Sequence, residues 1–401
     1  MGPVSDPARD FSPEPVAPET PARSTPIPLV VSDRGAAFAI IAALAWLGLV
    51  ALPLLLSLAL GQPASGLPLL SVAAWIVFLR VARRISPPAR ADRLLRRAHY
   101  AEALAVCDAA LAVTGAGAWV GRRRLIWLNR RTAALLGLGH FDEALLSALR
   151  AMELSPDPET VATCALALLR LNRYEDAITV ARLVSGRTHN RSVRANATLA
   201  ACMLARGQPA EAEALASASL ADVEALSPYV RRESYAACLS ALVRARLAQG
   251  RLDEPDGARA ALARLRRVAG SDPAARAVTL LETAALLAAG GARASETDEV
   301  ERLARQARAL APGYALWRLT QTDAPPTSMT AYLAGGLRAQ MARAPSSEEV
   351  AALLRQAQTA MRSRPPTLSN ATALLAQIVT VAATLALLTL WMLNFFIFST
   401  M

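Results

Sequence analysis

The sequence contains no lysine; all 43 of its basic residues are arginine. That absence removes every chemistry that needs a lysine amine: the P-loop lysine, the kinase strand lysine and Schiff-base formation. Substitution of arginine for lysine throughout fits a GC-rich bacterial genome. Aromatic residues make up only 5% of the chain, too few for a β-sandwich or barrel. None of the three histidines sits in an HExxH or other ligand spacing. The four cysteines, Cys107, Cys164, Cys202 and Cys238, are dispersed without a CxxC pair. They fall within helical patterns and read as small buried hydrophobes rather than metal ligands or disulfides. GxSxG, GxGxxG and P-loop motifs are missing as well. No catalytic residue, metal, cofactor or small-molecule substrate is therefore expected, and the chain is not expected to be an enzyme.

What is present is alanine, leucine and arginine, within a chain of 401 residues that is 54% hydrophobic. This composition predicts an all-α fold. The net charge of +11 is placed unevenly. Residues 1–35 carry three arginines against five carboxylates, and eight prolines fall in this stretch, which reads as a disordered tail. Residues 36–60 hold no charge and are long enough, at about 1.5 Å per residue, to span a bilayer core. Residues 64–82 read as a second, thinner span, so that 36–83 forms a transmembrane hairpin. Seven arginines follow between residues 80 and 97 and place that flank on the cytoplasmic side. Residues 371–398 are again uncharged and read as a C-terminal transmembrane helix. The expectation is a multi-pass protein of the bacterial inner membrane with its middle part in the cytoplasm.

Between these stretches a pattern repeats. Gly139, Phe141, Ala144, Ala151 and Pro156 form one set of positions, and Asn172, Tyr174 and Ala177 form the next. Tyr100 and Ala103 mark an earlier unit; Gly207-Gln208-Pro209 and Gly250-Arg251-Leu252 mark later ones. Small alanines let two helices approach while Phe141 or Tyr174 fills the wedge between them. The pattern resembles the tetratricopeptide repeat family, in its membrane-anchored bacterial form. The resemblance implies a helical-hairpin solenoid over residues 84–318, closed by capping helices over 319–366. Ser346 and Glu349 form a capping box that starts one of these helices.

The same resemblance implies a concave groove lined by the first helix of each unit, which takes a partner protein's segment. Asn129, Leu166, Arg170, Arg194 and Arg244 fall on that lining, a surface suited to an apolar or acidic segment. The bland counterpart is that the chain's own C-terminal helices fill the groove. A second candidate is the basic face of Arg122, Arg123, Arg124, Trp127, Arg130 and Arg131, suited to membrane lipids or to a neighbouring subunit. For Trp127 the simpler reading is packing against the preceding helix. The acidic pairs Asp142-Glu143 and Glu175-Asp176 recur at one repeat position, at a helix start, and read as structural. The predicted function is a scaffold or adaptor that binds a protein partner in its groove. The alternative is an accessory structural subunit of a multi-protein membrane complex, and RNA binding through the basic face is the weakest reading.

Overall fold

A turn of one kind recurs five times among the described residues and sets their architecture. A residue with positive φ ends one helix: Ala98, Gly139, Asn172, Gly207 and Gly250 in succession. The next residue then returns its N–H to the carbonyl five positions back. His99 reaches Leu94 at 2.9 Å, His140 reaches Leu135 at 3.0 Å, and Arg173, Gln208 and Arg251 do the same at 2.9 Å. This is the Schellman closure, which satisfies carbonyls that a helix end leaves open. These are the five turns that the sequence pattern marks.

The structure, a computed structural model, describes residues 87–113, 118–184, 190–224, 228–290 and 294–363. Among the described residues there are fifteen helices and no strand, so the fold is all-α. In order they are α1 (Pro87–Arg96), α2 (Tyr100–Val113), α3 (Ala118–Leu138), α4 (Phe141–Leu154) and α5 (Pro158–Arg170). Next come α6 (Tyr174–Arg182), α7 (Asn190–Ala205), α8 (Pro209–Glu224), α9 (Pro228–Ala248) and α10 (Ala258–Ala269). The last five are α11 (Pro273–Ala289), α12 (Ala294–Leu310), α13 (Pro312–Arg318), α14 (Thr330–Arg343) and α15 (Ser347–Ser363).

Each helix from α1 to α13 packs on the next, and alternate helices also touch: α1 on α3, α3 on α5, α5 on α7, α7 on α9 and α9 on α11. The intervening helices meet this row through small residues. Ala103, Ala144, Ala177 and Ala212, each three positions into its helix, are fully buried. Phe141 is buried at the same turn, and the ring of Tyr100 occupies the space where a side chain on Gly137 would stand. Pro156 is buried beyond the end of α4. Asp157 caps α5, its Oδ1 accepting from Glu159 and Thr160 N–H at 2.9 and 3.0 Å.

The last three helices fold back over earlier ones. Helix α13 touches α11 and also α3, far back in the chain. The approach is backbone to backbone: a Cβ on Gly313 would strike the Leu136 carbonyl oxygen and lie 2.8 Å from Gly139 N. Helices α14 and α15 were expected to cap the end of the array. Instead α14 packs on α4 and α13, and α15 on α4 and α6. One hydrophobic core accordingly runs from Phe141 through Trp317 to Ala357. The capping box forms, with Ser346 N–H donating to Glu349 at 2.8 Å and Glu349 N–H to Ser346 Oγ at 3.2 Å.

No helix among the described residues is long and apolar enough to cross a membrane. The placement as a multi-pass inner-membrane protein is corrected accordingly. The two longest helices among the described residues, α3 and α9, interleave arginines with their apolar residues, and Leu136, Leu239, Leu242 and Val243 pack into the core. The stretches 36–60, 64–82 and 371–398 and the proline-rich residues 1–35 lie outside the described residues.

The contact at Gly313 is directly testable. Gly313→Ala should cost about 2–3 kcal/mol in urea unfolding, because backbone atoms on both sides leave nothing to move aside. Gly335→Ala, where open space surrounds the added carbon, should stabilise by up to about 1 kcal/mol.

Candidate interaction site around Trp317

The site is assembled from four helices and the chain that follows the last of them. The C-terminal end of α5 supplies Arg170, and one face of α9 supplies Ser240 and Arg244, four residues apart. Helix α11 contributes Glu282, a lone carboxylate among Leu281, Ala284, Ala285 and Leu286. Into this space α13 brings Tyr314, Trp317 and Arg318, and the chain beyond it brings Gln321 and Asp323.

Arg318 and Glu282 are both fully buried. Arg318 donates to Glu282 through Nε at 3.3 Å and Nη2 at 3.2 Å. Glu282 also accepts from Ser240 Oγ at 2.8 Å and from Tyr314 OH at 3.1 Å. Arg318 Nη1 goes on to the Asp323 carboxylate at 3.2 Å and its carbonyl at 3.1 Å. Asp323 takes a two-point contact from Arg244, at 2.8 and 2.9 Å. Gln321 extends the network to the α5–α6 turn, donating to Asn172 at 3.0 Å and accepting from Tyr174 OH at 3.1 Å.

Burial opposes the charge on Asp323, but Arg244 and Arg318 outweigh it and hold the carboxyl well below the usual range. Burial likewise opposes the Arg318 cation, while Glu282 and Asp323 hold its proton more firmly than in a free arginine. For Tyr314, burial and then Glu282 push the phenol up.

Arg170 differs from the others. Its guanidinium carbon stands 4.1 Å from the centre of the Trp317 ring and 4.9 Å from that of Tyr314. Among the described residues no carboxylate meets it. Burial lowers it to about 10; Tyr314 opposes that fall and Arg244 adds to it. Its Nη1 is buried without a hydrogen-bond partner, as is Nε1 of Trp317.

Of the groove residues read from the sequence, Arg170 and Arg244 converge on one ring, Arg244 lying 5.3 Å from the Trp317 centre. The segment that covers them belongs to the same chain. Asn129 lies on α3 and bonds to Thr160 at 3.3 Å, Leu166 packs part-buried against the core, and Arg194 lies on α7. The described members of the basic face do not gather on one exposed patch. Trp127 is buried with Ala91, Cys107 and Ala110. Arg130 makes a two-point contact to Asp92 at 2.7 Å, and Arg131 pairs with Asp108 at 2.7 Å. Arg124 is exposed, and the side chains of Arg122 and Arg123 lie outside the described residues.

The acidic pairs fasten the C-terminal helices. Asp142 takes Arg343 at 2.8 Å, and Asp176 takes both Arg173 at 2.6 Å and Ser347 at 2.9 Å. Gln340 accepts from Phe141 N–H and donates to the Gly139 carbonyl, both at 2.7 Å. The four cysteines are free and buried, and burial raises each thiol to about 12. Among the described residues no group of acidic, histidine or cysteine side chains is placed to hold a metal.

Sequence reasoning missed Glu282, Tyr314, Trp317, Arg318 and Asp323. Two signals were available: a carboxylate set in an apolar helix face, and two aromatics behind Pro312 in an aromatic-poor chain. Neither a protein-family model nor a curated protein matches the chain.

Two measurements test this network. Arg318→Met should cost about 3–5 kcal/mol, since it leaves Glu282 buried without a counter-charge. The double variant Arg318→Met, Glu282→Leu should recover part of that loss. Asp323 has a folded pKa below the unfolded value of about 3.9. Its stabilisation is therefore present above that pH and lost as pH falls toward the folded value. Acid unfolding of Asp323→Asn should show a shallower dependence over that range.

Proposed function

We propose that the chain is a tetratricopeptide-type repeat scaffold that holds a partner protein and carries no reaction of its own. One observation carries this reading. The row of alternate helices already receives a helix bearing Tyr314, Trp317 and, just beyond it, Asp323, through Arg170, Arg244 and Ser240. A surface that seats an aromatic and acidic segment of its own chain has the chemistry to seat one from another chain. The recurrent turn and its buried alanines support the family likeness. The partner would take an apolar or acidic segment along Asn129, Leu166 and Arg194, which keep part of their surface exposed.

Arg244 is unsuited to a test by charge reversal, since a glutamate would face Asp323 and damage the fold. A photo-reactive side chain at Asn129 or Arg194 is cleaner. It should crosslink one partner in the source cell, while the same group at Leu146, exposed on α4, should not. Crosslinking from Leu146 alone would reject the groove.

A second reading, as a structural subunit of a multi-protein complex, draws on α14. Tyr332 is 76% exposed there. Gly335 and Gly336 face open space, although each costs a helix about 1 kcal/mol relative to alanine. Nothing among the described residues calls for two glycines, whereas close approach of another subunit does. Gly336→Arg should raise the chain's stability by up to about 1 kcal/mol while changing the subunit composition of a complex isolated through a tag on this chain.

A further inference from the structure

We propose that Arg170 and Trp317 form a receiving site for a small carboxylate ligand. The cluster around Trp317 holds three guanidinium groups, of Arg170, Arg244 and Arg318, and two carboxylates, of Glu282 and Asp323. The two carboxylates are fully engaged by Arg244 and Arg318. One positive charge is left over, and it resides on Arg170. The groups that act on it are Tyr314, which is neutral, and Arg244, which repels it.

Two donors of this cluster are buried without an acceptor, Arg170 Nη1 and Trp317 Nε1. Native interiors satisfy almost all such groups, so a pair of orphan donors beside an unmatched cation calls for an acceptor carrying negative charge. Guanidinium chemistry fixes its shape. The Arg170 guanidinium carbon lies 4.1 Å from the Trp317 ring centre and 4.9 Å from that of Tyr314, the two rings inclined at 55° to each other. A planar carboxylate matches the N–H edge of a guanidinium with two parallel hydrogen bonds. Arg170 and Tyr314 each keep part of their surface accessible. Asp323 is 32% exposed. This ligand is independent of any protein partner.

The test uses the full chain labelled with nitrogen-15, titrated with sodium malonate and, at matched ionic strength, with sodium chloride. The indole resonance of Trp317 is identified as the one missing in Trp317→Phe. Malonate should shift it saturably, with a dissociation constant on the order of 1 mM or tighter, and chloride should not. Malonate should also raise the thermal midpoint as its concentration increases. Arg170→Met should remove both effects while keeping its helical circular dichroism. Arg170→Lys, which keeps the charge but not the fork, should weaken malonate binding by about tenfold or more. A Trp317 resonance that stays in place at high malonate, or moves equally with chloride or in Arg170→Met, would overturn the assignment. Neither outcome bears on crosslinking at Asn129 or Arg194, so the two readings fail separately.

Discussion

The buried pair of Arg318 and Glu282 is the condition on which the rest of this packing depends. Neither side chain has any surface in water, and each would be costly there alone. Glu282 is made tolerable by the hydroxyls of Ser240 and Tyr314 as well as by Arg318, so α9, α11 and α13 must all be in place together. A buried ion pair is seldom a large net source of stability. Here it works as a register pin: α13 can enter at one depth only, where Gly313 meets the backbone of Leu136 to Gly139. Shifting it by a turn would leave a charge inside without a partner.

The recurrent turn serves twice. Within the repeat it closes one helix and opens the next. On its outer side it presents the Gly139 carbonyl, the Phe141 N–H and the acidic residues that follow the aromatic. Helices α14 and α15 read those groups through Gln340, Arg343 and Ser347. Asp142 and Asp176 thus act beyond their own helix starts. The same repeat position ties the last described helices to α4 and α6, and α13 closes the arrangement from within.

Satisfaction of polar groups is uneven across the cluster, and the unevenness is informative. Around Glu282 and Asp323 every charged oxygen has a donor. Around Arg170 the stacking energy with Tyr314 and Trp317 offsets part of the cost of burial but supplies no acceptor for Nη1. A chain that needed only a filled core could have placed an apolar residue there.

Local pattern determined much of this protein. The all-α class followed from composition, and the five turns from Gly139, Asn172 and their counterparts. The capping box at Ser346 and Glu349 could be read because each depends on residues within a few positions of one another. Burial of the dispersed cysteines could be read for the same reason. Tertiary structure alone decided where α13, α14 and α15 go. The partners of Arg318, Arg343 and Gln340 lie 36, 201 and 199 residues away, and no local periodicity marks such distances. It also decided the role of the arginines. Arg130, Arg131, Arg170 and Arg244 are alike in sequence as basic residues on helices. Whether each meets a carboxylate or an aromatic ring depends on which distant helix folds against it.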